Sequence, residues 1–190
     1  MKKVLADADS QMMAGRSVLL SLAVAIAAFV ATHLLSIPGS VHQLMAATGG
    51  LPIFDMQPSF SPDEVYERLV AFGANGRALY SRTLVTTDVV FPLCVLAFLY
   101  LFARYIAQRT GAPAPLRLLL LALPFAYFLA DMTENATIYL LLSDFPQRHE
   151  TAAGGLGYVT LIKRVTQIAA ILLPSALLIL GIARRHARVH

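Results

Sequence analysis

Cysteine is almost absent from this chain, since Cys94 is the single one among 190 residues. One thiol excludes an intrachain disulfide and any metal site built from several cysteines. Charged residues are also scarce at 14%, whereas 57% of the chain is hydrophobic; a soluble domain has about 25% charged residues. Together with a mean hydropathy of +0.66, these proportions indicate an integral membrane protein.

The motifs of the common enzyme classes are missing too. The chain has no phosphate-binding loop, no paired-cysteine redox motif, no zincin helix and no G-x-S-x-G nucleophile elbow. Its net charge of +4 comes from basic residues scattered at the ends of apolar segments, so nucleic acid is not an expected partner. We expect no cofactor, and an enzymatic function is not the favoured interpretation.

Four apolar windows are long enough to cross a ~30 Å hydrocarbon core. They predict an all-α membrane bundle, a single domain over residues 1–190, with spans at about 17–35, 83–103, 118–142 and 165–183. The first window is expected to be a retained anchor, because its apolar core is long and Asp7 and Asp9 precede it. The second and third windows are interrupted by Asp88, Asp131 and Glu134.

The distribution of basic residues predicts the orientation. The two loops between spans 1 and 2 and between spans 3 and 4 hold six basic residues but also six acids. The tails and the middle loop hold the other nine of fifteen basic residues: Lys2, Lys3, Arg16, Arg104, Arg109, Arg117, Arg184, Arg185 and Arg188. The positive-inside rule therefore predicts an inner-membrane protein with both termini in the cytoplasm.

The first outer loop contains a predicted amphipathic helix at residues 61–76. Ser61 can cap it, Pro62 suits the first helical position, and Glu64 completes a capping box. Val65, Leu69 and Phe72 share one apolar face. Glu64 and Arg68 can form an ion pair on another face. Gly73 and Gly76 are expected to end the helix. Two interpretations stay open: a helix lying on the outer membrane surface, or a lid over an outward-facing site. Gly154, Gly155 and Gly157 are expected to make the second outer loop flexible.

Polar side chains are predicted at nearly one depth in all four spans. Counted from the cytoplasmic arginines at ~1.5 Å per residue, they lie roughly 21–25 Å above the inner boundary. They are His33, Asp88, Asp131, Glu134 and Gln167. On the third span, Tyr127, Asp131 and Glu134 or Asn135 fall on one helical stripe that should turn away from lipid.

Buried acids need a partner, a proton or water, because an ionised acid at the centre of a span costs about 2.5–3.5 kcal/mol. The available counter-charges on the same side are Arg77, Arg82, Lys163 and Arg164. Pro92 has no N–H to donate to the carbonyl four residues earlier in a helix. The backbone carbonyl of Asp88 is therefore expected to lack its helical hydrogen bond.

The middle of the chain resembles a group of small bacterial four-span membrane proteins of uncharacterised activity. The resemblance covers roughly residues 54–140 and rests on three motifs: "GANGRALY" at 73–80, "DVVFP" at 88–92 and "DMTEN" at 131–135. It implies a similar four-span layout, and no activity, cofactor or catalytic residue. The motifs contain Asp88, Asp131, Glu134 and Asn135.

Three interpretations of the polar cluster remain open. In the first, the acids form a structural network of ion pairs that locks the bundle, possibly beside other membrane subunits. In the second, they line an outward-facing pocket for a cation, a proton or a small polar solute, which would need a homo-oligomer to build a transport path. In the third, the protein is a membrane enzyme in which His33, Asp88, Asp131 and Glu134 hold a metal ion, or two of the carboxylates share a proton for acid–base work on a lipid-borne substrate.

Overall fold

The computed structural model describes residues 2–186, so Arg188, which the topology count uses, lies outside the described residues. Residues 2–186 contain no strand and form seven helices. They are α1 (Lys2–His33), α2 (Val41–Ala47), α3 (Pro62–Ala71), α4 (Gly73–Val85), α5 (Thr87–Thr110), α6 (Ala114–Ser143) and α7 (Glu150–His186). The all-α prediction is confirmed.

Four stretches of these helices are long and apolar enough to cross a membrane: Gln11–His33, Gly73–Thr110, Ala114–Ser143 and Glu150–Gly181. Their outward faces carry large apolar side chains, such as Leu19, Leu118 and Ile179, which are 66–70% exposed. Such continuous apolar surface is unfavourable in water and normal against lipid. The helices thus support the predicted multi-pass membrane protein.

The second stretch consists of two helices. α4 ends at Val85, Thr86 has non-helical dihedral angles of −120° and −95°, and α5 begins at Thr87. Pro92, Pro124 and Pro174 lie inside α5, α6 and α7, as their positions within the predicted spans require.

The largest apolar core lies at one end of the bundle. Residues 36–72, which we call the cap, contain α2, α3 and the segments around them. Side chains of the cap pack against α4, the last turns of α6 and the first turns of α7. The core consists of Val41, Leu44, Ile53, Phe54, Val65, Tyr66, Leu69, Phe72, Tyr80, Leu84, Ile138, Leu141, Leu142, Ala153 and Leu156.

Helix α3 begins as predicted and ends earlier. The Ser61 hydroxyl accepts a hydrogen bond from the Glu64 N–H (3.2 Å), and Pro62 is the first helical residue. The Glu64 carboxylate accepts from the Phe60 N–H (3.2 Å), one residue before the expected capping partner. The helix stops at Ala71 instead of continuing to Gly76, because the backbone turns at Gly73, whose φ is +66°. Gly76 lies inside α4.

The prediction for the second outer loop is wrong at Gly154, Gly155 and Gly157. All three belong to α7, which begins at Glu150. Packing against the cap explains why a helix forms despite three glycines. A Cβ at position 157 would lie 2.5 Å from the Ser59 carbonyl oxygen and 2.7 Å from the Phe60 ring. Gly157 therefore permits a backbone approach that no other residue allows.

We expect Gly157→Ala to destabilise the protein by about 1–3 kcal/mol, the usual cost of overpacking. The added methyl group meets backbone at Ser59, which must move with the cap. Thermal unfolding in detergent measures the loss. Gly155→Ala is the matched control, because nothing lies within 4 Å of its Cβ position and alanine is favoured over glycine in a helix by roughly 0.5–1 kcal/mol. Equal melting temperatures for the two variants would contradict this account of the close approach.

Candidate functional site

A buried lysine on α7 gathers three carboxylates. Lys163 is 4% exposed, and its Nζ donates hydrogen bonds to Asp55 Oδ1 and Glu134 Oε2. Asp131 Oδ1 lies 3.3 Å from the same nitrogen. We call Lys163, Asp55, Asp131 and Glu134 the lysine cluster. It joins α6, α7 and the cap through one ammonium group.

Helical spacing brings the two acids of α6 to the same face. Asp131 and Glu134 are three residues apart, so they lie one above the other on α6, which packs along α7. Tyr127, Asn135 and Ile138 on this face are also buried, which confirms that the polar stripe turns inward. Thr160, one turn before Lys163, donates to Glu134 Oε1.

Asp55 comes from the cap and was not predicted to belong to the cluster. It lies in a turn whose neighbours Ile53 and Phe54 are almost fully buried in the cap core. Arg164 fixes the same turn, because its Nη2 donates to the carbonyls of Asp55 (2.5 Å) and Met56 (3.1 Å). The available signal was the apolar, proline-bounded segment "LPIFDMQP" at 51–58, in which the acid directly follows the apolar pair Ile53 and Phe54.

The cluster holds more acid than base. Three carboxylates against one ammonium give a formal charge of −2 if every group is ionised. One oxygen of each acid lies within 4.8 Å of those of the other two, and Asp131 Oδ2 is buried without a hydrogen-bond partner within the described residues. Unbalanced charge in a buried site is costly. Binding of a proton or a small cation would reduce this imbalance.

Asp88 and Asn135 form a second contact beside the cluster. Asn135 Nδ2 donates to the backbone carbonyl of Asp88 (3.0 Å). This is the carbonyl that Pro92 deprives of its helical donor. A side chain of α6 thus donates to the carbonyl of α5 that has lost its helical donor. The contact is buried, and a buried carbonyl without a donor costs about 1–3 kcal/mol.

His33 and Gln167 lie outside these contacts. His33 is half-buried, stacks on Phe29 with 4.7 Å between ring centres, and meets the edge of Phe91 at 5.2 Å. Its Nδ1 lies 3.3 Å from the Phe29 carbonyl oxygen. Gln167 is half-buried on α7, one turn beyond Lys163. Among the described residues, the three carboxylates close enough together to hold a metal ion are those of Asp55, Asp131 and Glu134. His33 and Asp88, which the predicted metal site included, do not belong to this set.

Lys163 alone of the four candidate counter-charges forms ion pairs with acids in the part of the chain that the structure describes. Arg77 donates to the Leu69 carbonyl (2.9 Å) and lies 4.1 Å above the Phe145 ring. Arg82 is exposed, and Arg164 bonds to backbone carbonyls. Among the four candidates, Lys163 is therefore the residue that is paired with the buried acids.

Comparison of the chain with protein-family models, curated proteins and solved structures finds no match.

Proposed function

We propose that this chain is a multi-pass protein of the bacterial inner membrane in which the lysine cluster fastens the cap to the spans. The observation that carries this proposal is the position of Lys163 Nζ, which bonds at once to Asp55 of the cap and Glu134 of α6. The distribution of basic residues and the resemblance to small bacterial membrane proteins support the location. Both termini then face the cytoplasm, and the cap with its amphipathic helix α3 faces the opposite side.

The energetics of buried charge support a fastening role. A buried ion pair contributes little compared with an apolar replacement, but loss of one partner leaves an uncompensated charge and costs about 3–5 kcal/mol. Movement of the cap away from the spans would carry Asp55 from Lys163 and expose apolar residues of the cap core. Opening of the cap would therefore break the Asp55–Lys163 ion pair in addition to the apolar contacts of the cap core.

We expect Asp55→Asn to lower the melting temperature in detergent and to speed hydrogen exchange in residues 51–60. The amide keeps the shape of the side chain and an oxygen that can accept from Lys163, but it loses the charge. The ionic attraction between Lys163 and the cap is therefore lost, while Glu134 and Asp131 still balance the lysine. Asp63→Asn is the matched control, because the Asp63 side chain is 81% exposed in a surface ion pair, and such pairs contribute little. Unchanged melting and exchange in Asp55→Asn would overturn the fastening role.

A second function, an outward-facing pocket for a proton or small cation, is favoured by the unpartnered Asp131 Oδ2 and the excess of carboxylates. The Asp55 side chain is 29% exposed, so it links the buried acids to the surface.

If the cluster is such a pocket, Asp131→Asn or Glu134→Gln would melt at or above the wild-type temperature, because excess charge is removed. A cation that binds the folded state would also raise the wild-type melting temperature in proportion to its concentration, and Asp131→Asn would abolish that rise. Such a pocket needs a homo-oligomer to form a transport path through the membrane.

A further inference from the structure

The seam between α1 and α5 contains an apolar trough that the lysine cluster does not use. Its volume is about 480 Å³, and the side chains along it are small or aliphatic. Most of them are exposed to the surroundings of the protein. Its principal lining residues are Leu20, Val24, Val90, Leu93, Ala97 and Leu101.

A basic pocket of about 240 Å³ lies at one end of the same seam. Gln11 and Ala14 of α1 line one wall; Arg104, Tyr105, Gln108 and Arg109 of α5 line the other. Arg109 Nη1 donates to Tyr105 Oη (2.5 Å). Among the side chains that the structure describes, no acid lines this pocket and neither arginine forms an ion pair. The pocket therefore presents two positive charges and several hydrogen-bond donors.

The trough and the pocket form one continuous surface. On α5, Ala97, Leu101, Arg104 and Gln108 follow each other at intervals of four, three and four residues, which is the spacing of one helical face. On α1, Ala14 of the pocket is followed three residues later by Ser17 of the trough. A molecule with a charged end and a long apolar body would contact both parts at once.

We propose that this seam binds one anionic phospholipid, with its phosphate on Arg104 and Arg109 and an acyl chain in the trough. Arginine matches phosphate geometry with paired N–H donors, and basic pockets between membrane helices are typical sites for anionic head groups. The positive-inside rule predicts that Arg104 and Arg109 face the cytoplasm. Arg104 lies 16 residues from Asp88 along α5, about 24 Å, so the site is separate from the lysine cluster.

Native mass spectrometry of the full chain in detergent, titrated with phosphatidylglycerol or phosphatidylethanolamine, tests the head-group contacts. We expect one phosphatidylglycerol per chain, bound more tightly than phosphatidylethanolamine. One basic residue near an anionic surface contributes about fivefold to affinity, so the double variant Arg104→Gln with Arg109→Gln should lose the anionic lipid by roughly 30-fold. Arg16→Gln is the matched control, because Arg16 is exposed at the same end of the bundle and outside the pocket. Equal affinity in both variants would overturn the proposal.

Filling the trough tests the acyl-chain contact separately. Ala97→Phe places a ring in the trough and should weaken phosphatidylglycerol binding, whereas Leu172→Phe, at a 60% exposed position of α7, should not. Glycerol 3-phosphate supplies the phosphate without acyl chains and should not displace the lipid at equal concentration. Two outcomes would contradict the proposal: displacement by glycerol 3-phosphate, which indicates a phosphate site alone, or a chain dimer that Ala97→Phe dissociates, which indicates a second copy in the trough. Unchanged melting temperatures confirm that the variants are folded.

Discussion

Lys163→Met is expected to destabilise the protein by about 3–5 kcal/mol, the cost of removing one partner from a buried ion pair. Methionine matches the apolar stem of lysine as far as Cε, so the change is chiefly the loss of the ammonium group. Glu134, which is fully buried, then has only the Thr160 hydroxyl as a hydrogen-bond donor among the described residues. Chemical or thermal unfolding in detergent measures the loss.

A double-mutant cycle identifies the cause of that loss. Adding Glu134→Gln to Lys163→Met removes one uncompensated charge, so the double variant should regain part of the stability that Lys163→Met loses. Arg82→Met is the control for removing a positive charge at this end of the bundle, because Arg82 is exposed. Additive effects in the cycle would show that Lys163 and Glu134 act independently, against the structure.

Arg68→Leu is the second large expected effect, a loss of about 2–4 kcal/mol, since hydrogen bonds to charged groups are worth about 1.5–3 kcal/mol each and are not additive. The guanidinium donates to the carbonyls of Pro52 (2.6 Å) and Gln57 (2.5 Å) and to Ser59 Oγ (2.8 Å). It also lies 4.2 Å from the centre of the Phe54 ring. Burial lowers the pKa of Arg68 from its usual value, yet arginine stays charged at neutral pH. One side chain thus fixes the segment that carries Asp55.

The experiment for Arg68 combines unfolding with hydrogen exchange of residues 52–59. Exchange should accelerate throughout this segment in Arg68→Leu, because three of its polar groups lose their donor. Arg148→Leu is the control: Arg148 bridges Asp63 and Glu150 at the surface, and hydrogen bonds to these two acids raise the pKa of its guanidinium. Exposed ion pairs of this kind contribute little to stability. A loss in Arg148→Leu as large as in Arg68→Leu would contradict the distinction between buried and surface arginines.

Local patterns predicted most of the fold. The capping sequence at Ser61 and Pro62 correctly located the start of α3, since a cap depends on residues a few positions apart. The start of α7 was missed, because three glycines within four residues disfavour a helix. The smallness of Gly157 instead lets α7 approach Ser59 and Phe60 of the cap, a contact between segments almost 100 residues apart in the chain.

The site was predicted in part for the same physical reason. Helical spacing alone placed Asp131 and Glu134 on one inward stripe, and the position of Pro92 identified the freed carbonyl of Asp88. The choice of Lys163 among four counter-charges could not be predicted, because helix rotation and side-chain reach decide it. Asp55 was counted only as a loop acid, although the burial of Ile53 and Phe54 carries it to the cluster.

The sequence by itself determined that this is an all-α chain with four apolar helices and acids inside them, because composition and helical periodicity depend only on neighbouring residues. Tertiary structure decided which groups meet. Lys163 contacts Asp55 from 108 residues earlier, and Asn135 reaches the Asp88 carbonyl across 47 residues. Those contacts depend on the packing of the cap core, the path of an irregular segment and the rotation of α7 against α6, which no local pattern encodes.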